Sequence, residues 1–254
     1  MDAHGVPLLD REGIGRKAAL ESEHWWYRGR RRIVLDRIER LPLPERPRVL
    51  DAGCGSGAML ASLGRFGAVT GADLNPRAVG YARGRGVAHV EVAPVERLPF
   101  DGGEFDLITC LDVLEHLDDD RRGLAELRRV TAPGGFLLAT APAYPVLWSP
   151  HDVAAGHVRR YRRGELRTAG TEVGWRPALE THFNALLLPL AACARVAARL
   201  RGAPPRSDLL ATPRRLGRLL GLPLRAEAAV LRRGLRLPIG LSVLAVLVNP
   251  DGGR

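Results

Sequence analysis

The sequence predicts an α/β domain built on a parallel sheet, and three stretches carry that reading. In residues 48–57, RVLDAGCGSG, a short apolar run ends at Asp51 and gives way to glycines at 53, 55 and 57. Twenty-two positions after Asp51, the run AVTGAD ends on a second acid, Asp73. Residues 105–110, FDLITC, have the length and apolar content of a central parallel strand buried on both faces. Glycine tolerates positive φ and lets another group lie against the backbone, so this loop offers main-chain N–H groups to a polar ligand. The acid in front of it would repel a pyrophosphate but suits a cationic ligand end, and G-x-G-x-G differs from the G-x-G-x-x-G of dinucleotide turns. A tight corner with no ligand is the plainer reading of such a loop taken alone.

Residues 48–57 resemble the first motif of the class I S-adenosylmethionine (SAM) dependent methyltransferases, V-L-D-x-G-C-G-x-G, at every position. The resemblance implies a Rossmann-like, seven-stranded, mainly parallel sheet with helices on both faces, and SAM as cofactor. It seats the cofactor on Asp51, Gly53, Cys54, Gly55, Gly57, Asp73, Leu74, Val95, Glu96 and Leu111, with the ribose on Asp73.

Taken in order, residues 16–40 read as a helical segment, Ile33, Val34, Ile38 and Leu41 recurring at helical spacing. With the linker that follows, it forms an N-terminal helical lid over residues 1–47. Its centre, Trp25-Trp26-Tyr27 and the arginines at 28 and 30–32, is either a hydrophobic cover with a solvated basic helix or a clamp. As a clamp, Tyr27 and Arg31 reach over the pocket to hold SAM's carboxylate, which arginine can grip with two parallel hydrogen bonds. LPLPERP at 41–47 breaks the helix. The core spans 48–183, with strands at 48–51, 68–73, 88–92, 105–110, 136–140 and 176–183, and helices at 59–66, 77–84, 121–131 and 165–173. PGG at 133–135 is expected to turn into the fifth strand.

After the third strand the family carries an acid-x-acid-x-Leu-Pro-Phe turn whose first acid binds adenine; here Pro94 stands in that place, which moves the contact to Glu96 or the backbone at Val95. Residues 111–116 match the short helix that roofs the methionine part. His116 within it is a candidate base, or a loop-holding residue.

Residues 141–166 are too rich in proline, glycine and histidine for a regular element and follow the fifth strand on the side of the glycine loop. The string His-Asp…Gly-His-x-Arg-Arg-Tyr is typical of a bacterial branch of the family. Three readings stay open: a self-bonded loop, a base (His151 or His157, oriented by Tyr161) with Arg159 or Arg160 on an acidic acceptor, or a His151-Asp152-His157 metal site. No metal is expected. Residues 184–240 form a helical insertion (cap) with eleven arginines, and 241–254 supply the last strand, antiparallel by resemblance, and a tail. The apolar run 185–200 is too short and too charged to span a bilayer.

The net charge of +10 is unevenly placed: residues 1–150 hold 20 basic against 21 acidic side chains, residues 151–254 hold 18 against 7. Arginine accounts for 37 of the 38 basic residues, so codon bias and solvated surface compete with an anionic ligand, lipid or RNA as the explanation. Three widely spaced cysteines and an N-terminus without a basic-then-apolar order point to a reduced, cytoplasmic protein, with peripheral membrane contact and a homodimer left open. The expected activity is methyl transfer to oxygen or nitrogen of a small molecule: a sugar, a natural-product intermediate or a lipid-linked glycan, anionic or not. An RNA methyltransferase and a non-catalytic SAM-binding protein are the alternatives; DNA is not expected as a partner, and neither is RNA on the leading reading. Asp73→Ala is expected to weaken SAM binding strongly in calorimetry, and retained affinity would contradict the ribose assignment. His151→Ala should spare that affinity and slow turnover.

Overall fold

The structure, a computed structural model, describes residues 11–86, 89–204 and 214–250. The stretch read for a leader, Ala88 at the predicted start of the third strand, and prolines 205 and 213 lie outside the described residues.

Seven strands form one sheet: β1 (Arg48–Ala52), β2 (Ala68–Asp73), β3 (His89–Val92), β4 (Phe105–Leu111), β5 (Thr131–Pro142), β6 (Arg176–Phe183) and β7 (Ser242–Val248). Their order is β3-β2-β1-β4-β5-β7-β6, and every pairing is parallel except those of β7 with β5 and β6. The winding reverses between β1 and β4, and in open sheets the crevice beyond the carboxyl ends at such a point binds ligands.

The N-terminal segment is two helices, α1 (Arg11–Glu23) and α2 (Trp25–Ile38), rather than one. His24 breaks it: its backbone is extended, φ −66° and ψ 137°, and its ring nitrogen accepts the Trp26 N–H at 3.3 Å, an N-cap made by an imidazole. α3 (Leu60–Leu63) follows β1, and α4 (Pro76–Gly84) starts on Asn75, whose side chain accepts from Arg77 and Ala78 N–H with Pro76 in the first turn. Asp119 caps α5 (Asp120–Val130) in the same way. β5 begins five residues earlier than expected, because PGG forms an irregularity inside the strand: Phe105 pairs with Thr131, and regular register resumes at Leu107 with Phe136. α6 (Pro150–Ala155) and α7 (Glu165–Glu172) lie between β5 and β6.

The sheet has a core on each face. Leu124, Leu127, Tyr161 and Trp175 fill one, under α5 and α7. Ile33, Val34 and Ile38 of α2 fill the other, together with Leu224, Ala228 and Leu231 of α9 (Arg214–Arg232). The insertion, α8 (Leu188–Leu200) and α9, therefore contributes to the main core through α9. It lies close to α2 at Gly29, where a Cβ would stand 2.1 Å from Leu224 Cδ2. Full burial of that leucine stabilises by about 1.5–3 kcal/mol, and only a glycine leaves room for it.

Gly29→Ala should cost about 1–3 kcal/mol by overpacking and Leu224→Ala about 2–5 kcal/mol by leaving a cavity. Denaturant melts of the double variant should show less than the summed loss, since the smaller residue at 224 admits the methyl at 29. Simple additivity would show that the two helices do not meet there as described.

Candidate functional site

The glycine loop between β1 and α3 is held in a shape that only glycine adopts readily. Gly53, Gly55 and Gly57 have φ of 78°, 56° and 81°. A Cβ on Gly53 would lie 2.3 Å from Val113 Cγ2, and one on Gly57 2.9 Å from the backbone of Ala82, so neither position admits a side chain without displacing its neighbour. The loop N–H groups are partly used by the protein itself, which corrects the expectation that they simply face a ligand. Gly53 and Cys54 donate to the Ala72 carbonyl at 2.8 and 3.0 Å, and Gly55 to Asp73 Oδ2 at 2.8 Å. Glu21 of α1, which sequence reasoning missed, accepts from Ser56 N–H at 3.3 Å and from the Ser56 hydroxyl.

Three carboxylates thus surround the loop. Asp51, 2% exposed at the tip of β1, accepts from Thr109 Oγ1 at 2.6 Å across the β1–β4 pairing. Burial pushes its carboxyl up to about 6; the Thr109 bond and Arg30 oppose that rise, while Glu21 and Asp73 add to it. Asp73 ends β2, with Oδ1 accepting from Asn75 N–H at 2.8 Å, and Leu74 is exposed beside it. A buried acid flanked by two more is a place where a cation is favoured. The chemistry of the residues fits SAM: a glycine turn without side chains at three positions, an acid at β1 for the charged methionine end and an acid at β2 within one strand of it.

Over this pocket lies α2. Arg30, not Arg31, reaches the tip of β4: its Nη1 donates to Asp112 and, at 3.4 Å, to the Leu111 carbonyl. The guanidinium lies 4.8 Å from the Trp26 ring centroid and 5.3 Å from that of Tyr27. The Tyr27 phenol is pushed up to about 12 by burial, with Arg30 opposing and Glu21 and Asp112 adding. Arg31 instead donates to the Glu21 carbonyl at 2.6 Å, tying α2 to α1. One helical position decides the matter, and an arginine run gives no sequence signal for it. Asp112 takes φ 56° immediately after β4, a conformation that costs a non-glycine residue and recurs where a side chain must be aimed. Val95 is buried in the turn after β3 and Glu96 half-buried.

The loop after β5 is regular where the sequence suggested none. Ser149 and Asp152 form a capping box on α6. Fully buried Asp152 accepts from Ser149 N–H at 2.8 Å and from Arg160 Nε and Nη2 at 2.8 and 3.0 Å, and it meets His157 Nδ1 at 2.9 Å. Its carboxyl is held far below the usual range: these bonds and the Arg160 charge outweigh its desolvation. Asp152 is therefore a structural hub, which overturns the His151-Asp152-His157 metal reading. Arg160 is buried and Arg159 pairs with Asp120 at 3.0 Å, so neither awaits an acidic acceptor. Tyr161 is buried with its hydroxyl donating to Asp120 at 2.8 Å; it orients no histidine. What the loop does bring together is histidines. The His157 ring lies 4.9 Å from that of His116 and 5.9 Å from that of His151. His116 is exposed, its Nδ1 3.1 Å from the Gly156 carbonyl.

Residues 50–139 match a family described as a methyltransferase domain. Over 110 residues the chain is 38% identical to the ubiquinone biosynthesis O-methyltransferase of Aromatoleum aromaticum, a match covering 41% of this chain and 47% of that protein. The chain spans about half or less of the length of the first curated relatives it matches. Among solved structures, the chain bound to the Haloferax volcanii Trm112 methyltransferase activator superposes with a TM-score of 0.63 at 22% identity, over 95% of this chain and 96% of that one. Geranyl diphosphate C-methyltransferase of Streptomyces coelicolor A3(2), solved with S-adenosyl-L-homocysteine, gives 0.54 at 18% identity, over 84% and 73%. The structural likenesses establish the fold, and residues 50–57 of the motif around Asp51 fall inside the matched stretch. Residues 50–139 thus match the methyltransferase-domain family, and the described chain has the fold of the solved methyltransferases.

Proposed function

We propose that this chain transfers the methyl group of SAM to an oxygen or nitrogen of a small acceptor with an apolar portion. The observation that carries the reading is the buried carboxylate of Asp51 beside a glycine turn, with Asp73 one strand away: an anionic site that favours a sulfonium nucleoside. SAM supplies the difficult chemistry, since its positive sulfur makes the methyl carbon electrophilic. The protein's part is to hold the acceptor atom opposite the sulfur. The acceptor's lone pair forms the new C–O or C–N bond, the C–S pair returns to sulfur, and the acceptor's proton passes to a base. We assign that proton to His151, half-buried in the first turn of α6 beyond the carboxyl edge of β5.

An apolar acceptor is favoured by the wall on that side. α8 packs against α6 and against the turn at Pro145–Leu147, and Val146, Val153, Leu186 and Leu190 are each more than half exposed there. The Aromatoleum aromaticum relative is named for ubiquinone biosynthesis, which points the acceptor search toward phenols with greasy tails. No described helix is long and apolar enough to cross a membrane.

Incubation with methyl-labelled SAM and a panel of alkylated phenols, amines, sugars and lipid-linked glycans should move label into an organic-extractable product. SAM binding without transfer to any of them would favour a sensor or scaffold, and transfer only to RNA would reject the small-molecule reading. Affinity for SAM should also depend on pH with a defined sign. A cation beside Asp51 favours the ionised form, so the ligand must displace a proton below about pH 6. Affinity should be flat above that value and fall by up to about tenfold per pH unit below it. Asp51→Asn should weaken binding and flatten this acid limb; an unchanged limb in that variant would assign the titration elsewhere.

A further inference from the structure

We propose that Glu115, His116 and His157 form a binding site for one divalent transition-metal ion, zinc-like in preference, at the rim of the β4 tip. The proposal begins with Glu115. Its side chain is fully buried, yet neither carboxylate oxygen has a hydrogen-bond partner. Leaving such a group unpaired costs more than almost any other arrangement in a folded protein. Protonation would remove the charge but would still leave an O–H and a C=O without partners. A cation on the carboxylate would compensate its charge and give it a ligating partner.

The neighbouring donors are arranged for one. A ligand atom from each of Glu115, His116 and His157 lies within 4.8 Å of the other two, and His157 Nε2 is 3.9 Å from Glu115 Oε1. The opposite ring nitrogen of His157 is fixed by the Asp152 carboxylate, which sets a tautomer with Nδ1–H and leaves the Nε2 lone pair facing Glu115. His116 has its Nδ1 on the Gly156 carbonyl, the same outer support from backbone instead of carboxylate. Metal-binding histidines are held in this way, by an acceptor on the nitrogen that does not ligate. Two segments far apart in sequence are joined at the same place, since Val158 N–H donates to the Glu115 carbonyl at 2.8 Å.

Two imidazoles and a carboxylate suit zinc, cobalt, manganese or iron better than magnesium or calcium, which prefer all-oxygen sets. Three protein ligands leave a position for water or for an oxygen of the acceptor.

The test uses the full chain, stripped with chelator and titrated with cobalt chloride. One equivalent of visible d–d absorbance is expected, displaced by zinc. Glu115→Gln, nearly isosteric, and His157→Gln should each weaken cobalt binding at least about tenfold. His116→Ala, at an exposed position, should do the same without threatening the fold, which circular dichroism checks for all three. No stoichiometric band in the wild type, or a band of equal affinity in the three variants, would overturn the site. Calorimetry with S-adenosylhomocysteine on the same samples reports the cofactor pocket separately. Cobalt uptake without nucleoside heat would leave the metal site standing and reject the proposed activity.

Discussion

The pocket depends on one constraint: a carboxylate, Asp51, kept out of water at the point where the sheet changes its winding. Parallel pairing of β1 with β4 sets Asp51 beside Thr109, whose hydroxyl is the only neutral side-chain donor it has among the described bonds. Burial raises its proton affinity, and the nearby Glu21 and Asp73 raise it further. An acid in that position is destabilising for the empty protein once ionised and favourable when a cation arrives. Binding energy and fold stability therefore oppose each other at this residue, as they do at many ligand sites.

The second layer of the site follows from a glycine on a helix. Gly29 lets α9 lie close on α2, and α2 carries Arg30 and Tyr27, stacked on one another, to the tip of β4. The insertion between β6 and β7 thus packs on α2 through Leu224 and on α6 and the turn at Pro145–Leu147 through α8. The loop after β5 is stiffened independently, by the Asp152 hub, which holds His157 while Arg160 bonds the Ala143 carbonyl at 3.0 Å.

Much of the core was legible in advance because its signals are local. The six-residue bounds of β2 and the eight of β6 were read correctly from apolar runs ending at turns, and the glycine positions from the need for positive φ. Where the reading failed, a tertiary contact outweighed the local pattern. His24 split a helix by capping the next one, PGG stayed inside β5 because Thr131 found Phe105 across the sheet, and Tyr161 was drawn into the core by Asp120. The last case is instructive: a histidine-tyrosine-arginine string looks like chemistry, and most of it holds a loop together.

The sequence alone determined the parallel strands and the acid-then-glycine turn, because strand burial and positive φ leave marks on adjacent residues, and it indicated the cofactor class through the resemblance of that turn to a known motif. Tertiary structure alone decided that Arg30 rather than Arg31 meets β4, that Glu21 sits on the glycine loop, and that Glu115 faces His157 across forty-two positions of chain. Those choices turn on helix phase and on loops closing against one another, quantities fixed by packing over distances that no local pattern of residues encodes.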